Sequence, residues 1–106
     1  MTDKILALTT TGSEAEAKTI ARALVERGLA ACVNIVPRLS SIYRWQEKIE
    51  EAEEYLLIIK TNAGKFAEVR DAIKELHSYD VPECIALPIA DGSASYLNWI
   101  TESLKR

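Results

Sequence analysis

The sequence predicts an α+β fold in the order βαββαβ, with a long hairpin between the second and third strands and a short helix at the C-terminus. Three observations carry that expectation. Two stretches with helical apolar spacing lie between short β-branched runs. Two long strand-like runs, residues 31–45 and 49–61, are separated only by Gln46-Glu47-Lys48. Breakers stand at Thr11-Gly12, Gly28, Asp80-Val81-Pro82 and Asp91-Gly92-Ser93.

Residues 5–10 form a short apolar run ending at Thr11-Gly12, the pattern of a buried strand and turn. Ser13 and Glu16 then have capping-box spacing, and Ala17, Ile20, Ala21, Leu24 and Val25 fall on one helical face before Gly28 supplies a left-handed stop. Residues 31–36 resume strand chemistry. After Pro37, Ser41, Tyr43 and Trp45 share one face and Ile42 and Arg44 the other, so one long strand with a bulge at residues 37–40 fits best. The acidic stretch 47–54 has good helix propensity. Its flanks, Tyr43 and Trp45 on one side and Tyr55-Leu56-Leu57-Ile58-Ile59 on the other, have strand chemistry, which makes it the outer part of a hairpin that leaves the domain.

Phe66, Val69, Ile73 and Leu76 mark a second helix over residues 63–77. Residues 84–89 read as the fourth strand, placed at an edge by Pro88, and Tyr96, Trp99, Ile100 and Leu104 as a final helix. This is the split-βαβ arrangement called ferredoxin-like, in one domain spanning residues 1–106.

Composition narrows the function. A formal charge of −3, from 13 basic and 16 acidic residues without a basic cluster, argues against a nucleic-acid partner. The apolar run at residues 5–8 is too short for a signal peptide or membrane span. Cys32 and Cys84 form neither a C-x-x-C pair nor a disulfide framework, so free thiols in a reducing, cytoplasmic compartment are expected.

Five runs in register carry a family likeness: Ala30-Ala31-Cys32-Val33-Asn34-Ile35-Val36-Pro37, Ser41-Ile42-Tyr43-Arg44-Trp45, Leu57-Ile58-Ile59-Lys60-Thr61, Leu76-His77-Ser78-Tyr79-Asp80-Val81-Pro82-Glu83 and Tyr96-Leu97-Asn98-Trp99-Ile100. Across its whole length the chain resembles the CutA divalent-ion tolerance proteins. The resemblance implies a protomer similar to the PII signalling proteins, a homotrimer joined by long hairpins, a link to copper and other divalent metals, and no enzymatic activity. Two positions depart from the family pattern: Glu47 replaces a glycine of Trp-x-Gly-Lys at the hairpin tip, and Ser78 replaces the proline of His-Pro-Tyr. Thr9 stands where some bacterial members have a cysteine, and His77 is the only histidine.

Each candidate residue has two readings. His77 is a metal ligand or proton carrier, or a helix-terminal histidine facing the last carbonyls. Cys32 is a soft ligand for copper, or an inert strand thiol, and Cys84 likewise. Glu47, Glu50, Glu51, Glu53 and Glu54 read as a solvated charged face more than a cation site. Lys60, Glu83, Tyr96 and Trp99 line a ligand cleft between subunits, or are salt-bridge and core residues. Tyr43, Trp45 and Tyr55 are expected at the trimer interface, because a projecting hairpin cannot bury three rings against its own small domain.

No nucleophile motif or phosphate-binding glycine loop is present, so a non-enzyme is expected. The leading function is a homotrimeric protein of divalent-metal or copper binding and tolerance, with a signalling role and no obligatory cofactor. The alternative is a PII-like sensor that holds a small anionic metabolite between subunits with Lys60 and Arg44. A third class makes His77 and Glu83 an acid and base.

Overall fold

The computed structural model describes residues 2–104, and residues 1, 105 and 106 of the expected domain lie outside that range. The elements are β1 (Lys4–Thr11), α1 (Glu14–Glu26), β2 (Cys32–Trp45), β3 (Lys48–Asn62), a 3-10 turn at Ala63–Lys65, α2 (Phe66–Leu76), β4 (Ile85–Pro88) and α3 (Ala94–Ser103). Every sheet neighbour is antiparallel, in the order β2-β3-β1-β4. This is the expected ferredoxin-like topology.

Alternation along the strands separates two faces. Ala7 of β1 with Leu57 and Ile59 of β3 meets Ala17, Ile20 and Leu24 of α1 and Val69, Ala72 and Ile73 of α2 in one buried cluster. On the other face the register sets Leu87, Leu6 and Lys60 in one row and Ile85, Leu8 and Ile58 in the next. Ile85 and Leu87 remain about half exposed, at 51% and 47%. A largely apolar sheet face is therefore left open at the β4 edge.

Local chemistry sets the ends of α1. The Ser13 hydroxyl accepts the Glu16 N–H at 3.2 Å. Gly28 sits at φ 70°, Leu29 N–H reaches the Leu24 carbonyl and Gly28 N–H the Val25 carbonyl, which together make a Schellman closure. The second half of the expected capping box is absent, because the Glu16 carboxylate instead accepts the N–H of Ser78, at 2.8 Å. Val25, expected on the buried face, is exposed.

The hairpin is long. Fourteen residues of β2 at roughly 3.3 Å each span about 46 Å, the scale of the molecule's 44 Å long dimension. Pairing skips from Val36 to Leu39, with Arg38 at φ 58°, which is the bulge expected after Pro37. Trp45 pairs with Lys48, so the reversal is a two-residue turn, with Gln46 at φ 51° and Glu47 at φ 68°. Two consecutive left-handed residues define a type I′ turn, which elsewhere prefers Asn-Gly.

Three expectations change in detail. The first turn of the second helix is 3-10, so α2 itself starts at Phe66. The fourth strand is trimmed to Ile85–Pro88. Tyr55 packs partly buried against the core of its own chain, because it lies on the same face of β3 as Leu57 and Ile59, so the burial argument for an intersubunit role does not apply to it.

Candidate functional site

The loop after α2 organises the site. His77 ends the helix, its N–H bonded to the Ile73 carbonyl, and its ring is buried. Nδ1 accepts the N–H of Tyr79 at 3.1 Å, which places the proton on Nε2, where it is donated to the Thr10 carbonyl at 2.6 Å. Both ring nitrogens are thus committed to backbone. The helix-terminal reading fits in place but not in partner, since the carbonyl served belongs to β1.

Tyr79 continues the chain of contacts. Its ring lies 4.6 Å from that of His77, and its hydroxyl donates to Glu54 Oε2 at 2.7 Å. Burial, and then the bond to the Glu54 carboxylate and its charge, push the Tyr79 hydroxyl above the ordinary tyrosine range and hold it as a proton donor. Glu54 is only 5% exposed, unlike Glu47, Glu51 and Glu53 of the same acidic run. A Cβ on Gly12 would stand 3.2 Å from the Tyr79 oxygen, so a larger residue in the turn after β1 would push the ring by a few tenths of an ångström.

Two further bonds pin the loop. Ser78 gives its N–H to Glu16, a bond that proline at this position has no hydrogen to make, and Lys74 Nζ donates to the Asp80 carbonyl at 2.6 Å. The pinned loop faces the outer, two-stranded part of the hairpin across an open cleft of about 620 Å³. Ser41, Ile42, Tyr43 and Trp45 form one wall, Tyr79, Asp80, Val81 and Glu83 the other, and Thr10 and Glu54 lie between them.

The candidate residues divide between this cleft and other places. Glu83, Tyr43 and Trp45 line it, with both rings 43% exposed. His77 stands behind it and orients Tyr79. Cys32 and Lys60 pair across β2 and β3, where Lys60 Nζ donates to Asn34 Oδ1 and lies 3.9 Å from Cys32 Sγ. Lys60 therefore bonds Asn34 within this chain, not Glu83 or His77. Tyr96 and Trp99 stack on each other on α3, centroids 5.5 Å apart, and are partly exposed away from the cleft lining. Cys84 is half-buried, and burial raises its thiol pKa. Among the described residues no group of three or more His, Cys, Asp or Glu side chains stands together as a metal site.

Sequence reasoning missed the Glu54–Tyr79 pair. No local signal separates Glu54 from its acidic neighbours. Only the register, with Tyr55 opposite Thr11 at the end of β1, places it where the hairpin leaves the sheet.

Comparison with known proteins converges on one family. The family model described as CutA1 divalent ion tolerance protein matches residues 5–103. The divalent-cation tolerance protein CutA of Thermus thermophilus is 54% identical over 96 residues, covering 91% of this chain and 93% of that one. Human protein CutA is 46% identical over 91% of this chain, which spans about half (54%) of the human protein. The structure of the periplasmic divalent cation tolerance protein CutA from Archaeoglobus fulgidus superposes with a TM-score of 0.94 at 45% identity, covering 96% of this chain and 99% of the other. With a family model that matches residues 5–103 and relatives this similar over nine-tenths of its length, this chain belongs to the CutA1 divalent ion tolerance family.

Proposed function

We propose that the chain works as a homotrimer in divalent-cation tolerance, binding copper or another divalent ion at sites completed between subunits and passing that state to a partner without catalysing a reaction. The observation that carries the assembly is the unfinished surface of the single chain. Ile85 and Leu87 leave the sheet face open at one edge, while Ile42, Tyr43, Trp45 and Ile49 are exposed on the hairpin. A face of this kind favours association.

The charge of the cleft supports a cation over an anion. Glu54, Asp80 and Glu83 line it, and no lysine or arginine among the described residues does. Arg44 pairs with Ile49 near the tip, whereas Lys60 pairs with Cys32 at the base, eleven positions along β3 from Ile49. That separation is about 36 Å of strand, so the two cations of an anion clamp would have to come from different subunits. The committed ring of His77 supports a non-catalytic role and directs the search for metal ligands to Cys32 and to groups met across an interface. Its two free cysteines suit a reducing cytoplasmic location.

Light scattering combined with calorimetric titration of Cu²⁺ and Zn²⁺ into the reduced protein tests the reading. Expected are a trimer mass and saturable binding at a fixed ratio per trimer, weakened in Cys32→Ala and retained in His77→Ala. A monomer at micromolar concentration refutes the assembly, and heats without saturation refute the metal site.

A further inference from the structure

We infer that the cleft between the hairpin and the 77–83 loop is a recognition site for an organic cation, a guanidinium or alkylammonium group. Three aromatic side chains, Tyr43, Trp45 and Tyr79, and three carboxylates, Glu54, Asp80 and Glu83, line the same space. Aromatic faces and carboxylates attract the same ligand class, because the negative face of a π-system and an anionic oxygen both favour a cation. A bare metal ion gains nothing from the rings. The carboxylates also lack a third ligating neighbour at metal-binding spacing, whereas hard divalent ions take about six to eight oxygens.

Glu54 is the built part of the site. Its side chain is almost wholly buried, and Oε2 is fixed by the Tyr79 hydroxyl at 2.7 Å. Tyr79 is fixed in turn through its N–H to His77 Nδ1, and His77 through Nε2 to Thr10. These bonds hold the Glu54 carboxylate in place at the cleft lining. A volume of about 620 Å³ is that of a small-molecule site and far exceeds what one ion fills. The inference needs no metal, but it shares Tyr43 and Trp45 with the proposed assembly surface, so the Glu54 and Glu83 variants, which alter the cleft and not those rings, separate the two.

The cation has two possible sources, a free small molecule or a basic side chain of a neighbouring copy, with Arg44 and Lys48 near the hairpin tip as candidates. The test is a titration of agmatine, followed by amide chemical shifts and with glutarate as an anionic control. Saturable shifts at residues 41–45 and 79–83, weakened about tenfold in Glu54→Gln and in Trp45→Ala and absent with glutarate, support a free ligand. Binding seen only in the Arg44→Ala/Lys48→Ala double variant supports the same chemistry supplied by a neighbouring copy. Glu83→Gln, at an exposed position, serves if Glu54→Gln fails to fold. No binding in either background, or binding that these variants leave unchanged, overturns the inference.

Discussion

The two halves of the β2–β3 hairpin are made of the same strands and held by different forces. In the inner half, β3 from Tyr55 to Asn62 is sandwiched between β1 and β2, and Leu57, Ile59 and Thr61 are fully buried beneath the helices. Past Tyr55 the ladder has only two strands, residues 39–54, and its large apolar side chains Ile42, Tyr43, Trp45 and Ile49 are exposed. An isolated two-stranded ribbon is marginal in water. The inner half is stabilised by its own core, and the outer half by its turn, by its junction at Glu54 and by whatever covers it.

The sharpest way to break the comparison is one truncation in each half. Ile59→Ala removes a side chain with no exposure from the sheet centre and should cost about 2–5 kcal/mol of fold stability. Urea unfolding checks it, and a loss under about 1 kcal/mol would mean the core is not where the hairpin is anchored. Trp45→Ala should do the reverse. It should leave protomer stability within about 0.5 kcal/mol and weaken assembly by about 2 kcal/mol or more, read from dilution-dependent mass. Assembly as tight as that of the unaltered chain would mean the ring serves only its own chain.

Much of this division is legible from residue order, and its decisive points are not. Ser13 and Gly28 bound α1 through contacts within a few positions, and the exposed hairpin middle follows from charged residues between Trp45 and Tyr55. These are local effects. The cleft depends on pairs 25, 62 and 67 positions apart: Glu54 with Tyr79, Glu16 with Ser78 and Thr10 with His77. Nothing within reach of Glu54 in sequence marks it as buried. The capping-box spacing even misassigns Glu16, because a tertiary donor outcompetes the local one.

The junction between the halves has its own signature. Tyr79→Phe removes the hydroxyl that Glu54 accepts, at a cost of about 1 kcal/mol, below the usual value for a bond to a charged group because the ring is partly exposed. The raised Tyr79 pKa gives the pH dependence its sign. The folded chain holds that proton more tightly than the unfolded one, so the contribution is complete below pH 10.0, the ordinary tyrosine value, and is lost as pH rises above it. The half-buried Cys84 thiol acts in the same direction from pH 9.0 upward. Stability should therefore fall with alkaline pH, and more shallowly in Tyr79→Phe. Identical pH profiles would remove Tyr79 as a tie between loop and hairpin.

The smallest expected effect lies at the far end of the ribbon, where Glu47 occupies a left-handed position at φ 68°. A left-handed non-glycine residue costs about 1–2 kcal/mol, and glycine returns about 0.5–1 kcal/mol of that through the extra freedom it gives the unfolded chain. Glu47→Gly should therefore stabilise the turn by a net of about 0.5–1 kcal/mol and, with Gln46 unchanged, leave the Trp45–Lys48 pairing in register. If the two halves are as separable as their contacts indicate, the gain should appear as slower hydrogen exchange in residues 41–52 and little change in global unfolding. Protection that rises equally across residues 55–62 would show that the ribbon and the core open together. The comparison drawn from burial would then hold for structure but not for cooperativity.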